Sequence, residues 1–317
     1  MKTKTAILMM AYGGPDSLES VEPYLLDVRG GRPTPAELVE EIRQRYAEIG
    51  GKSPLLEITM QQAKALEAHL NLNTENQYQV FVGMRHWFPY IRETVTDIAA
   101  SGINNLISIC MTPFFSNMST GAYYEHLDNA IKLQTSFPEW QESLSQTRIG
   151  AWYTNPLYIR AIATNLQETL TIAEERGAVS PAILFTAHSL PEIIIQKGDP
   201  YADQFKHLAQ LVAEAANLST KQWSYCFQSA GASSMRWLGP SLEQTIEDYA
   251  EQGQKTIIVA PIGFLSDHVE VLFDIDIEAQ QLANKLNVNL LRMPSLNDHP
   301  LFIQALGKII KESEQTS

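Results

Sequence analysis

Four blocks of this sequence occur twice, in the same order. "AILMMAYGGP" (6–15) resembles "AILFTAHSLP" (182–191), and "YQVFVGMRHWFP" (78–89) has a weaker counterpart in "WSYCFQSAG" (223–231). "NNLISICMTPFFSNMS" (104–119) matches "KTIIVAPIGFLSDH" (255–268) as strand, Pro, aromatic, Ser. "RIGAWYTNPLYIRAIAT" (148–164) matches "NLLRMPSLNDHPLFIQAL" (289–306), a strand followed by Asn, Pro and a helix. Apolar runs bounded by Gly and Pro alternate with long amphipathic stretches, the pattern of a parallel sheet covered by helices. The repeat therefore predicts two similar α/β halves, each a parallel four-stranded sheet flanked by helices. Residues 1–165 form the first half and 166–317 the second, with an approximate boundary. In open α/β sheets ligands bind beyond the carboxyl ends of the strands. That rule selects Tyr12, His188 and the loop leading to Glu270, which two facing halves would gather around one cleft.

Composition narrows the partners. Hydrophobic residues make up 44% of the 317 and charged residues 19%, a globular balance. A net charge of −13 argues against nucleic acid, whose phosphates require a basic surface. A metal cation or a small molecule remains open. Cys110 and Cys226, each in an apolar run, read as buried thiols. Two cysteines provide neither a disulfide framework nor an iron–sulfur cluster. The opening "MKTKTAILMMAYGG" imitates a signal peptide, but no small-residue cleavage pattern follows. No apolar run reaches the 18 or so residues of a membrane span. A soluble, cytoplasmic protein without an integral membrane anchor is expected.

One stretch is chemically unusual. In "GFLSDHVEVLFDIDIEA" (263–279), Glu270, Asp274 and Glu278 recur every four residues. On a helix such residues share a face, and like charges so placed cost about 0.2–0.5 kcal/mol per pair. In isolation the row equally suits a solvated face. Yet Val271, Leu272, Phe273, Ile275 and Ile277 surround it, and a helix apolar nearly all round is buried. Buried carboxylates are costly unless they bind a cation or take up protons. With a nearby imidazole, the row suits a labile divalent metal or a proton relay. His188 directly follows an apolar strand, where a lone His is also commonly a satisfied turn residue. His86 reads as a strand-end residue near the site, His268 as a cap or flank of the acidic helix, and His69, His126 and His207 as surface helix positions. "AYGGP" is neither GxGxxG nor a P-loop, so it gives little support to a nucleotide site. The segment 20–60 gathers Arg29, Arg32, Arg43, Arg45 and Lys52 with Tyr24, Tyr46 and Leu55. It could hold a planar ligand with acidic edges, although its glutamates equally allow simple charge balance.

"YAEIGGKSPL", "TPFFS…AYYE", "AHSLPE…GDPY", "FQSAG…WLGP" and "GFLSDHVEVLFDID" together resemble, in order, blocks of the ferrochelatase family. The resemblance covers Met10 to about Leu296 and implies a chelatase-like fold of two Rossmann-like halves. It also implies a lyase that inserts ferrous iron into a porphyrin in haem biosynthesis. His188 and Glu270 would then be the catalytic, metal-handling pair, with Asp274 and Glu278 continuing a relay away from the porphyrin. "AYG" after the first strand resembles the soluble bacterial coproporphyrin III enzymes. In them Tyr12 would bind the product iron from the face opposite His188. Arg29, Arg45, Tyr46, Ser53 and Tyr123 match positions that hold the propionates and ring edge. Ferrous iron is then a substrate, with no resident cofactor and no iron–sulfur cluster, and a downstream haem-pathway enzyme is a possible partner. "FQSAGASSMRWLGP" lacks the Arg-Val that many relatives carry after Gln-Ser, so it contributes no site residue. Alternatives are a protoporphyrin IX ferrochelatase, a cobalt or nickel tetrapyrrole chelatase, or a non-catalytic haem or metal binder of the same fold.

Overall fold

A computed structural model of the protein describes residues 4–231 and 235–315. Its eight strands are β1 (Lys4–Ala11), β2 (Gln77–Met84), β3 (Asn105–Cys110), β4 (Ser145–Ile149), β5 (Ala182–His188), β6 (Trp223–Gln228), β7 (Thr256–Ala260) and β8 (Asn289–Arg292). They form two four-stranded sheets of order β2-β1-β3-β4 and β6-β5-β7-β8. Every pairing is parallel. The four repeated sequence blocks thus correspond strand for strand, and both sheets have the same topology. β1 and β5 lie inside their sheets and are buried along almost their whole length. That burial on both faces is why they read as unbroken apolar runs rather than alternating ones.

In each sheet the order reverses beside the first strand: β2 lies on one side of β1 and β3 on the other, and β6 and β7 flank β5 likewise. The crevice at such a reversal is where open α/β sheets bind ligands. Tyr12 follows β1 directly, and His188 ends β5. The equivalence of "AILMMAY" and "AILFTAH" makes these two residues counterparts.

The chain divides into two compact units, but not at residues 165 and 166. The first runs to Trp152 and resumes at Asn297; the second is Tyr153–Leu296. The expected boundary would cut the helix Pro156–Glu175, which packs in the second unit against β7, β8 and the helix Tyr201–Ala215. The helix Pro300–Gln315 conversely packs against β4 and the helix Leu55–Leu70 of the first unit. Within that unit Phe302 stacks on Trp152 with ring centres 6.2 Å apart, and Tyr78 donates a hydrogen bond to Glu314 at 2.9 Å. The helix following the fourth strand of each repeat therefore belongs to the other repeat's unit.

Candidate active site

In the second unit the site is built on the carboxyl ends of β5 and β6 and on the segment after β7. His188 Nδ1 donates to Glu270 Oε2 at 2.8 Å. Both side chains are about a third exposed, at 34% and 31%. The backbone carbonyl of His188 accepts from Tyr201 Oη at 2.8 Å, which anchors the strand end from a buried helix residue. Burial works against the imidazolium, but the charge and hydrogen bond of Glu270 outweigh it and raise the His188 pKa. Burial also opposes the Glu270 carboxylate, yet His188 and then His268 hold that carboxyl well below the usual range.

His268 is more than a flank. Its Nδ1 donates to the Ser266 carbonyl at 2.9 Å, so that nitrogen carries a proton. Its Nε2 stands 3.7 Å from Glu270 Oε2, beyond hydrogen-bond length. Glu270 raises its pKa against the effect of burial. Glu270 accordingly sits between two imidazoles, a role for His268 that the sequence reading did not assign.

Gln228 and Ser229 are also absent from that reading, because "FQSAG" departs from the expected pattern. Gln228 is buried at the end of β6 and accepts from Thr186 Oγ1 at 2.6 Å. Its Nε2 donates to the Glu270 carbonyl at 2.6 Å. The side chain thereby ties β5, β6 and the helix Val269–Leu272 together directly beneath the reactive pair. Ser229 donates to Asp274 Oδ2. The signal available was positional: Gln228 pairs with His188 in register at a carboxyl strand end.

The acid row does not lie on one regular α-helix. Val269–Leu272 is α-helical, Asp274–Ala279 is a π-helix and Gln280–Lys285 is α-helical again. Glu278 N donates to Phe273 O at 2.9 Å, a five-residue step. In an α-helix a position four residues on has turned slightly past its start, and in the wider π turn it stops short. The steps to Asp274 and then to Glu278 therefore drift in opposite senses and offset each other. Val271, Phe273 and Ile275 are buried as expected, and so is Asp274, but Glu278 is exposed. Only the inner part of the row is enclosed.

In the first unit Tyr12 is 41% exposed, and its ring lies 4.7 Å from that of His86. His86 is buried and donates from Nδ1 to Asp27 Oδ1 at 2.8 Å; Tyr90 Oη donates to Asp27 Oδ2 at 3.3 Å. Burial lowers the His86 pKa despite the Asp27 contact, which favours the neutral ring. The expected substrate-holding groups separate by environment. Arg29 is half-buried and its buried Nε has no hydrogen-bond partner. Arg45 pairs with Glu41 at 3.0 Å on its own helix, the charge balance that the glutamates allowed. Ser53 packs against Gly14, where a Cβ would fall 2.5 Å from the Ser53 oxygen, so "AYGGP" is shaped by packing. Tyr46 and Tyr123 are both buried, Tyr123 in the core beneath the Arg85 guanidinium. Burial pushes the Tyr123 phenol far above its ordinary pKa. Among the described residues no group of three or more His, Cys, Asp or Glu side chains is arranged to hold a metal ion. No helix among them is long and apolar enough to cross a membrane.

Comparison with solved structures defines the fold class. The sirohydrochlorin chelatase SirB from Bacillus subtilis subspecies spizizenii, solved with cobalt, aligns with a TM-score of 0.57 at 12% identity over 99% of this chain and 96% of its own. CbiX, described as the terminal enzyme for siroheme biosynthesis in denitrifying bacteria, aligns with a TM-score of 0.51 at 11% identity over 97% of this chain and 98% of its own. The fold is that of the tetrapyrrole chelatases. A sequence model of the ferrochelatase family matches residues 4–314. A ferrochelatase of Deinococcus radiodurans is 40% identical over 96% of this chain and 94% of its own length. A coproporphyrin III ferrochelatase of Bacillus cereus is 37% identical over 98% and 95%. The chain belongs to the ferrochelatase family, whose reaction is metal insertion into a porphyrin.

Proposed function

We propose that the protein inserts ferrous iron into coproporphyrin III, with His188 and Glu270 as the reacting pair. The observation that carries this reading is the His188–Glu270 hydrogen bond at the carboxyl end of β5. A metal enters a porphyrin only after two pyrrole N–H protons leave. With Nδ1 donating to Glu270, the neutral His188 ring carries its lone pair on Nε2, where it can accept such a proton. The ionised Glu270 then offsets the imidazolium that forms, and His268 supplies a second imidazole to the same carboxylate. Asp274, buried, and Glu278, exposed, provide a path of carboxylates for cations or protons to solvent.

The coproporphyrin assignment draws on the relatives bearing that name and on exposed Tyr12, whose phenol suits the product's iron once a separate oxidation has made it ferric. Coproporphyrin III has four propionates, and charge-assisted hydrogen bonds contribute about 1.5–3 kcal/mol each. Arg29, with its unpartnered Nε, is the first candidate to hold one. Anaerobic insertion assays with ferrous iron and either coproporphyrin III or protoporphyrin IX test the reading. A higher kcat/KM for coproporphyrin III is expected; an equal or reversed ratio overturns the substrate assignment. Uptake of one equivalent without turnover overturns the enzymatic reading altogether.

A further inference from the structure

Five carboxylates crowd the segment from Asp267 to Glu278: Asp267, Glu270, Asp274, Asp276 and Glu278. Two of them share a cation from another element. Arg292, the last residue of β8, donates from Nε to Asp276 Oδ1 at 2.6 Å. Its Nη1 donates to Asp267 Oδ1 at 3.2 Å and reaches the Met293 carbonyl at 3.4 Å. The Arg292 side chain is only 17% exposed. Asp267 immediately precedes His268, and Asp276 lies inside the π-helix two residues after Asp274. The guanidinium thus grips this segment on both sides of Glu270 and Asp274 and fastens it to the edge strand of the sheet.

We infer that Arg292 is a positioning residue for metal insertion, holding the Asp267–Asp276 segment so that Glu270 and His268 stay aligned with His188. Its planar fork can reach two carboxylates from one fixed stem, which an ammonium group cannot do with the same geometry. Its single positive charge is shared by two of the five carboxylates and so lowers the net negative charge of the segment by one. Neither aspartate that it binds is a member of the row Glu270, Asp274 and Glu278. Catalytic geometry is sensitive to small displacements, with about 10²-fold in rate at stake for a shift of about 1 Å.

This inference rests on the His188–Glu270 reading of the site, and the test separates the two. Insertion of ferrous iron into coproporphyrin III is measured for Arg292→Ala, Arg292→Lys and Glu270→Gln, well below each variant's melting temperature. For Arg292→Ala, kcat should fall on the order of 10–100-fold while KM for the porphyrin stays unchanged. Added guanidinium ion should restore part of that kcat, and Arg292→Lys should recover less than the wild-type rate. If Arg292→Ala fails to fold, the double variant Asp267→Asn with Asp276→Asn keeps Arg292 but removes its charge partners, and should show the same kcat-specific loss. Wild-type kcat in Arg292→Ala, or in the double variant, overturns the inference, and so does a loss in Arg292→Ala that guanidinium does not relieve. A near-wild-type kcat in Glu270→Gln would instead sink the reading of the site itself.

Discussion

The chemistry proposed for His188 depends on which of its nitrogens carries a proton, and that is set by Glu270. Because Nδ1 donates to the carboxylate, protonation of the ring blocks Nε2, the atom that would accept from the pyrrole. The rate should therefore fall as pH drops through the His188 pKa. Burial depresses that pKa, while the Glu270 charge and hydrogen bond raise it above the ordinary imidazole value. Glu270→Gln removes the main raising influence and leaves the burial. Its residual activity should show an acid limb displaced to lower pH, together with a loss of about 10²–10⁴-fold in kcat, the range for acid–base groups. A limb that stays in place would assign the titration to another group. His188→Ala should abolish turnover while retaining porphyrin binding, as followed by fluorescence quenching. Tyr12→Phe probes the other unit. It should still turn over, but its ferric coproporphyrin complex should lack the absorption bands of tyrosinate ligation, because only a phenolate is a strong ligand for ferric iron. The placement of Tyr12, His188 and Glu270 at or beyond carboxyl strand ends was legible in the sequence, because the apolar strands that precede them are recognisable. Gln228 was not, since a buried amide serving as a brace has no spacing signature, and its partners Thr186 and Glu270 are distant in sequence.

The acidic segment shows what a four-residue spacing can and cannot disclose about an element. It marks out Glu270, Asp274 and Glu278, but not the π turn that changes their environment between Glu270 and Glu278. Asp274 is buried, as are Val271, Phe273 and Ile275, whereas Glu278 emerges to solvent. The two outer acids should therefore behave differently. Asp274→Asn, which loses a buried carboxylate bonded to Ser229, should raise KM for ferrous iron several-fold. Glu278→Gln should change it less than twofold, since an exposed charge is well screened. Equal, negligible effects would make the row a structural face. A second constraint on the element comes from close approach. Gly263 N donates to Thr186 O at 3.0 Å, and a Cβ on Gly263 would lie 2.5 Å from that of Ala187, the residue before His188. Gly263→Ala should destabilise the protein by about 1–3 kcal/mol, as overpacked cores do. It should also lower kcat by moving the strand end that carries His188. Thermal melts and rates on the same preparation check both effects.

At the scale of the whole molecule the repeat was readable, because each parallel strand is a short apolar run bounded by turn residues and both sheets use the same order. The division into units was not, because helix amphipathicity says that a face is covered without saying by which sheet. The two helices after β4 and β8 have the same sequence signature, Asn and Pro before an amphipathic run, yet each packs in the unit built on the other repeat. Phe302 tests this assignment. It is fully buried on the last helix and stacked on Trp152. Removing its ring leaves a cavity that neighbouring groups fill only partly, at a cost of about 3–5 kcal/mol for a buried Phe→Ala change. If the helix is part of the first unit's core, Phe302→Ala should accelerate backbone hydrogen exchange first in β1 to β4 and in the helix Leu55–Leu70, against which the last helix packs. The strands β5 to β8 should keep their protection longer, because their core is built from other residues, such as Leu184, Val259 and Leu290. Exchange that rises first in β5 to β8 would return the last helix to the repeat that encodes it.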